Sequence, residues 1–190
     1  TYSVRRILYV LSDITLYFED NNSIELDNFI FINTDDSETL TQRISGLPQL
    51  CSGISFRLGF NDSANIDNAY IDSPYNFHLA MLWPNLFGTD LTFQGGYHYM
   101  KLEGKYENLV DGTNFYNTHS GPINGNDYSI LYPTFYFDLT FNISINMNID
   151  KWYNDPIYNI IEFGNGIMDN LDAQILLWEN GSDVFTVENN

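Results

Sequence analysis

Residues 135–149 read FYFDLTFNISINMNI, and this stretch decides the fold class. Phe135, Phe137, Leu139, Phe141, Ile143, Ile145, Met147 and Ile149 are apolar, while Asp138, Thr140, Asn142, Ser144, Asn146 and Asn148 between them are polar. Only Tyr136 breaks the alternation. A period of two is that of a β-strand with one apolar and one wet face; a helix would scatter the same residues around its circumference. At about 3.3 Å per residue the run would extend close to ~50 Å, longer than most strands, so a bend or bulge is expected near its middle. Its apolar face, Phe137, Leu139, Phe141, Ile143 and Ile145, is expected in the core.

The rest of the chain must supply strands to cover that face. Residues 3–18 hold two alternating sets, Ile7, Tyr9 and Leu11, then Ile14, Leu16 and Phe18, whose phase slips at Ser12-Asp13 as it does at a β-bulge. A turn cluster at Glu19-Asp20-Asn21-Asn22-Ser23 and apolar residues over 24–32 complete a hairpin. Ile54, Phe56, Leu58 and Phe60 share one face of a further strand over 52–60, and Tyr97 to Glu103 form another. The Gly- and Asn-rich span 108–129 is too long for a hairpin connection and reads as a functional loop. Met168, Leu171, Ile175 and Trp178 recur at helical spacing, with Gly181 to end the helix. The expected architecture is all-β: one antiparallel β-sandwich domain over residues 1–190 with one or two short helices near its C-terminus.

With 190 residues, 7 Lys+Arg against 25 Asp+Glu and a net charge of −18, the chain repels phosphate backbones and anionic lipid headgroups, so nucleic acid is not an expected partner. Abundant aromatics, 14 Tyr and 14 Phe, mark a folding acidic chain rather than a disordered one. Cys51 is the single cysteine, which excludes an intrachain disulfide and a thiolate metal cluster. No apolar run reaches the roughly 20 residues of a membrane span. The chain opens at Thr1 rather than Met, and a removed leader and export are the expectation.

The three histidines, His78, His98 and His119, all fall within residues 76–120, beside Met81, Trp83 and Met100. Neutral imidazole is the commonest metal ligand, and His with a soft sulfur suits copper. The competing reading makes each histidine a surface or packing residue. Strand alternation puts His98 with Met100 and Leu102, a face that could be core, while His119 falls in the polar span. Asp62, Asn65, Asp67, Asn68 and Asp72 offer hard oxygens for calcium, without the Gly and closing Glu of an EF-hand loop. No nucleophile–base pair, phosphate loop or dinucleotide fingerprint is legible, so no enzymatic activity is expected.

Several segments taken in order resemble the MbnP-like family, the methanobactin-partner proteins related to copper-repressible surface proteins of methane oxidisers. They are Ser55-Phe56-Arg57-Leu58-Gly59-Phe60 with Asp62, Ser63 and Asn65; Met81-Leu82-Trp83; Gly96-Tyr97-His98-Tyr99-Met100-Lys101-Leu102-Glu103-Gly104; and Phe115 to Gly121 with His119. Trp152-Tyr153 with Asp155-Pro156, then Ile167-Met168-Asp169-Asn170 and the closing Asn180 to Phe185 extend the likeness over nearly the whole chain.

The resemblance implies a secreted or periplasmic β-sandwich binding copper through histidines and, in some members, through a kynurenine formed from tryptophan by a dihaem cytochrome of the peroxidase type. Indole nitrogen has no useful lone pair, so a metal role for tryptophan requires such a modification. By position Trp83 is the candidate, whereas Trp152 and Trp178 read as packing residues; His78, His98 and His119 are carried as a set. The chain departs from the family in placing Pro84 and Asn85 after Trp83 and inserting residues 86–94 before the Gly-Tyr strand. A competing function is a metal-free accessory role, the domain docking on an outer-membrane or cell-surface complex through the span 108–129.

Overall fold

The first strand carries an unbroken apolar run, Ile7 to Leu11, and such a run belongs to a strand covered on both faces. In a computed structural model of the chain, which describes residues 1–85 and 95–189, it does so. Strand β1 (Tyr2–Phe18) lies inside an eight-stranded antiparallel sheet. Ile7, Tyr9, Leu11, Ile14, Leu16 and Phe18 feed the larger apolar cluster, and Leu8 and Val10 a second one. The slip expected at Ser12-Asp13 is present: the register against β4 (Cys51–Leu58) shifts between Ser12 and Thr15, and Asp13 takes φ 48°.

The first hairpin forms with its return strand in two pieces, β2 (Ser23–Glu25) and β3 (Ile30–Asn33), both paired to β1. On β4, Ile54, Phe56 and Leu58 are buried as their alternation predicts. Phe60 lies past Gly59, whose φ of +94° turns the chain, and joins the second cluster instead. A single helical turn, α1 (Phe77–Met81), follows mid-chain, away from the C-terminus where helices were expected.

The span 108–129 is not a long loop. β5 (Met100–Asn108) turns tightly into β6 (Gly112–Ser120), and the two pair along their whole length from Met100↔Ser120 to Asn108↔Gly112. Thr113, Asn114, Asn117 and Thr118 hide a strand whose pattern is polar because it forms the end of the sheet path, while Tyr116, Thr118 and Ser120 point inward and are buried.

After the short β7 (Ile130–Leu131), residues 135–149 form two strands in two sheets. β8 (Phe135–Thr140) pairs with β4 in the large sheet, and β9 (Ile143–Met147) pairs with β10 (Phe185–Asn189) in a two-stranded sheet. The bend expected near the middle is thus a complete break at Phe141-Asn142. The exposure changes with it: Phe137, Ile143 and Ile145 pack against the core as half-buried residues, but Leu139 is 41% and Phe141 63% exposed, so neither belongs to the core.

Between β9 and β10 the chain forms α2 (Ile160–Phe163) and α3 (Leu171–Asn180). Asn170 caps α3 by accepting from the Ala173 amide, and Gly181 follows it, as anticipated. Its buried face is different, however: Ala173, Gln174, Leu177 and Asn180 face inward while Leu171 and Trp178 are exposed. Trp152 is buried, so the packing role holds for it and not for Trp178. The result is a sandwich-like antiparallel β-fold with few, short helices. No helix among the described residues is long and apolar enough to cross a membrane.

Candidate metal centre

Sheet register gathers the polar side chains that surround His119. Across β1, β5 and β6, Arg6 stands opposite Glu103 and Lys101 opposite His119, which sets His119 diagonal to Glu103 on the same face. Arg6 donates from Nη2 to Glu103 Oε2 at 2.8 Å, and His119 Nε2 lies 3.1 Å from Glu103 Oε1. The His119 hydrogen bond, with Arg6 adding to it, holds the Glu103 carboxyl at about 2, so it is a carboxylate and accepts from His119 Nε2–H. The His119 tautomer is therefore fixed with its lone pair on Nδ1. This side chain is 12% exposed, a half-buried strand residue rather than a residue of a flexible arm.

His98 precedes β5 and is 4% exposed. The segment around Trp83 runs antiparallel to it: Leu82 bridges Tyr97, the Trp83 amide donates to the Gly96 carbonyl at 2.9 Å, and the His98 amide to the Met81 carbonyl at 2.7 Å. His98 Nδ1 is 3.1 Å from that same Met81 oxygen. A carbonyl can only accept, so Nδ1 carries the proton and the lone pair is on Nε2. Nε2 is buried and has no hydrogen-bond partner among the described residues.

The structure brings three of the four candidate residues together. The His98 ring meets the Trp83 ring at 4.8 Å and 74°, and the His119 ring at 5.1 Å and 84°, centroid to centroid. His78 is engaged elsewhere, with Nδ1 2.9 Å from the Tyr97 hydroxyl on the rim of the second apolar cluster. Burial pushes the His98 pKa well down, His119 lowering it further, and burial likewise lowers that of His119. Both imidazoles are held neutral, the state that ligates a metal.

Among the described residues no group of three or more His, Cys, Asp and Glu is arranged to hold a metal ion. A donor set here consists of the two imidazoles and what Trp83 can offer. The residues fit a soft metal in one specific respect: each histidine has one nitrogen anchored on a carbonyl or carboxylate and the other left with its lone pair, the usual second-sphere arrangement of a metal-binding histidine. The calcium candidates are committed differently. Asn65 donates to the Tyr97 carbonyl and accepts from its amide, and Asp67 accepts from Asn85 Nδ2 and the Gly96 amide.

The MbnP family model matches residues 1–169 of this sequence. The chain belongs to the MbnP family. No curated protein and no solved structure matches it. The match spans β1 to β9 and thus Trp83, His98, Glu103 and His119, and it ends before α3.

In this MbnP-family chain, α3 nonetheless reaches the centre through Gln174, a residue the sequence reading missed. Gln174 is 1% exposed; its Nε2 donates to the His119 carbonyl at 2.8 Å and to the Ile167 carbonyl at 3.1 Å, and its Oε1 accepts from the Gly121 amide at 3.3 Å. Gly121 was missed in the same way. A Cβ there would lie 2.4 Å from a Trp83 ring carbon, so the glycine is the floor on which the indole rests. The one signal available was proximity, since Gly121 follows two residues after His119. The insertion at 86–94 lies outside the described residues.

Proposed function

We propose that this MbnP-family chain is an exported copper-binding protein, holding copper through His98 Nε2 and His119 Nδ1 beside Trp83. The observation that carries the reading is the buried Nε2 of His98, which has no hydrogen-bond partner among the described residues. An imidazole lone pair withdrawn from water costs about 1–3 kcal/mol unless something takes it, and the His119 ring, its centroid 5.1 Å away, carries a second nitrogen donor. Soft and borderline donors of this type favour copper over magnesium or calcium. Bound there, copper would supply redox-active, nitrogen-ligated chemistry; the protein holds the two imidazoles neutral, orients them through Met81 and Glu103, and keeps water out with Trp83.

The indole of Trp83 is not itself a ligand. The family likeness supports its oxidation to kynurenine, by a dihaem cytochrome of the peroxidase type, to complete the donor set with a carbonyl and an aromatic amine. His78 stands outside this proposal because its ring is committed to Tyr97. No enzymatic step is assigned to the chain, and an exported, periplasmic or surface location is part of the same reading.

Elemental analysis and peptide mass spectrometry on protein from its native source test it together. Stoichiometric copper with a mass change in the Trp83 peptide is expected; metal-free protein with an intact Trp83 would overturn it. The competing role, metal-free docking on a surface complex, is favoured by one observation: Leu109 and Val110 at the β5–β6 turn are almost completely exposed aliphatic side chains. Copurification of a partner lost on Leu109→Ser would support that role, and a monomer with no partner would end it.

A further inference from the structure

The two sheets meet closely at one end and part at the other. Phe185 of the small sheet packs on Tyr9 and Phe56 of the large one, at 5.7 and 5.4 Å between centroids. Beyond that contact lies a cleft of about 540 Å³, open on one side, between the C-terminal half of β1 and the start of β9. Leu11, Ile14, Leu16, Ile54 and Ile143 form its walls, and residues 40–47 border it without closing it. It shares none of its lining with the histidine centre.

Three features give the cleft a chemistry. Its volume falls within the roughly 300–1,000 Å³ range of small-molecule sites. Its walls are aliphatic, and a hydrocarbon guest lying against them takes apolar surface out of water. Among the described residues no charged side chain lines it, in a chain with 25 acidic and 7 basic residues. The polar groups available are neutral amides and hydroxyls such as Gln42, Thr140, Asn142 and Asn146, toward the mouth. Leu40, Ile44 and Phe141, also lining residues, are 52%, 40% and 63% exposed, so the apolar surface continues outward past the walls.

We infer that this inter-sheet cleft binds an uncharged, single-chain amphiphile, its hydrocarbon tail between β1, β4 and β9 and its hydroxyl- or ester-bearing head among the amides at the mouth. No cation lines the cleft, Arg43 of the bordering segment standing outside its lining, and a carboxylate head would enter the field of an acidic protein. A neutral head loses nothing, because Asn and Gln side chains both donate and accept. The guest would also cover Phe141, an aromatic side chain that the fold otherwise leaves in water.

The test is displacement of Nile red from the purified chain by 1-monooleoylglycerol below its aggregation concentration, with oleate in parallel. Saturable displacement at one equivalent, at least about tenfold weaker for oleate, is expected. Ile143→Trp and Ile32→Trp, each placing an indole into the space from a half-buried position, should weaken displacement by about tenfold or more; urea melts establish which of them folds as wild type. Equal or stronger displacement by oleate overturns the uncharged-head assignment, and no saturable displacement overturns the site. A dimer in sedimentation that Ile143→Trp dissociates, with no dye displaced, would assign the cleft to a second copy and overturn the proposal.

Discussion

His98 and His119 face each other edge-on, their ring centroids 5.1 Å apart and their planes at 84°, with each ring anchored through its other nitrogen. One comes from the segment leading into β5 and the other from β6, so the pair depends on the hairpin that joins them.

Acid should destabilise the fold in two stages. The unfolded chain protonates histidine near its ordinary 6.5, while burial lowers the folded-state values of His98 and His119, so the unfolded state binds more protons below pH 6.5 and stability falls from there downward. Glu103 is held at about 2 against an ordinary 4.5, so its contribution is complete above pH 4.5 and is lost as pH falls toward 2. Urea midpoints measured from pH 7.5 to 3 should decline across both windows. A flat profile between pH 6.5 and 5 would contradict the buried neutral pair.

Glu103→Gln removes the carboxylate that receives both Arg6 and His119. The amide still offers an oxygen and Arg6 keeps its ion pair with Asp35, so the cost is that of weakened charge-assisted hydrogen bonds, about 1–3 kcal/mol in urea melts. Its melting profile should also decline less steeply than wild type below pH 4.5, which separates the charge from the shape of the side chain.

Gly121→Ala directs a methyl group into the Trp83 ring, 2.4 Å from its nearest carbon. The indole is almost fully buried and cannot retreat into solvent. Overpacking of this kind costs about 1–3 kcal/mol, and the tryptophan emission maximum should shift as the ring is displaced. An unaltered melt and spectrum would mean that Trp83 does not rest on this glycine.

Phe56→Ala should cost about 3–5 kcal/mol, since Phe56 is completely buried against Tyr132, Phe135 and Phe185, whereas Phe141→Ala should cost less than about 1 kcal/mol. Chemical denaturation of the two variants checks the ranking. The reverse order would restore Phe141 to the core and break the division of residues 135–149 between two sheets.

Local alternation made much of this architecture legible. The slip at Ser12-Asp13, the buried face of β4 and the stop of α3 at Gly181 are all set by neighbours in sequence. Residues 135–149 kept their period of two, Tyr136 apart, across a sheet boundary because both halves have an inner face, and nothing local records that Phe141 falls where the partner strand changes from β4 to β10. β6 was hidden for the opposite reason: its hydrogen bonds to β5 and its packing beneath Tyr153 hold a polar sequence in a strand.

The same limit applies to the centre. Trp83, His98 and His119 were recognisable as residue types, but their convergence, and the separate engagement of His78 with Tyr97, depend on the antiparallel pairing of residues 81–84 with 95–98 and on the β5–β6 register. Glu103 and Gln174 gave no sequence signal because each acts across strands or from a distant helix.

The most direct test of the paired-histidine centre is a copper titration, against a competing chelator, of the chain made in its native host with the state of Trp83 read by mass spectrometry, with His78→Ala, His98→Ala and His119→Ala measured beside the wild type and folding checked by urea melts. One copper per wild-type chain is expected, with affinity lowered at least about tenfold in both His98→Ala and His119→Ala and close to wild type in His78→Ala. Loss of copper in His78→Ala with retention in the other two, or no copper bound by the wild type, would contradict it.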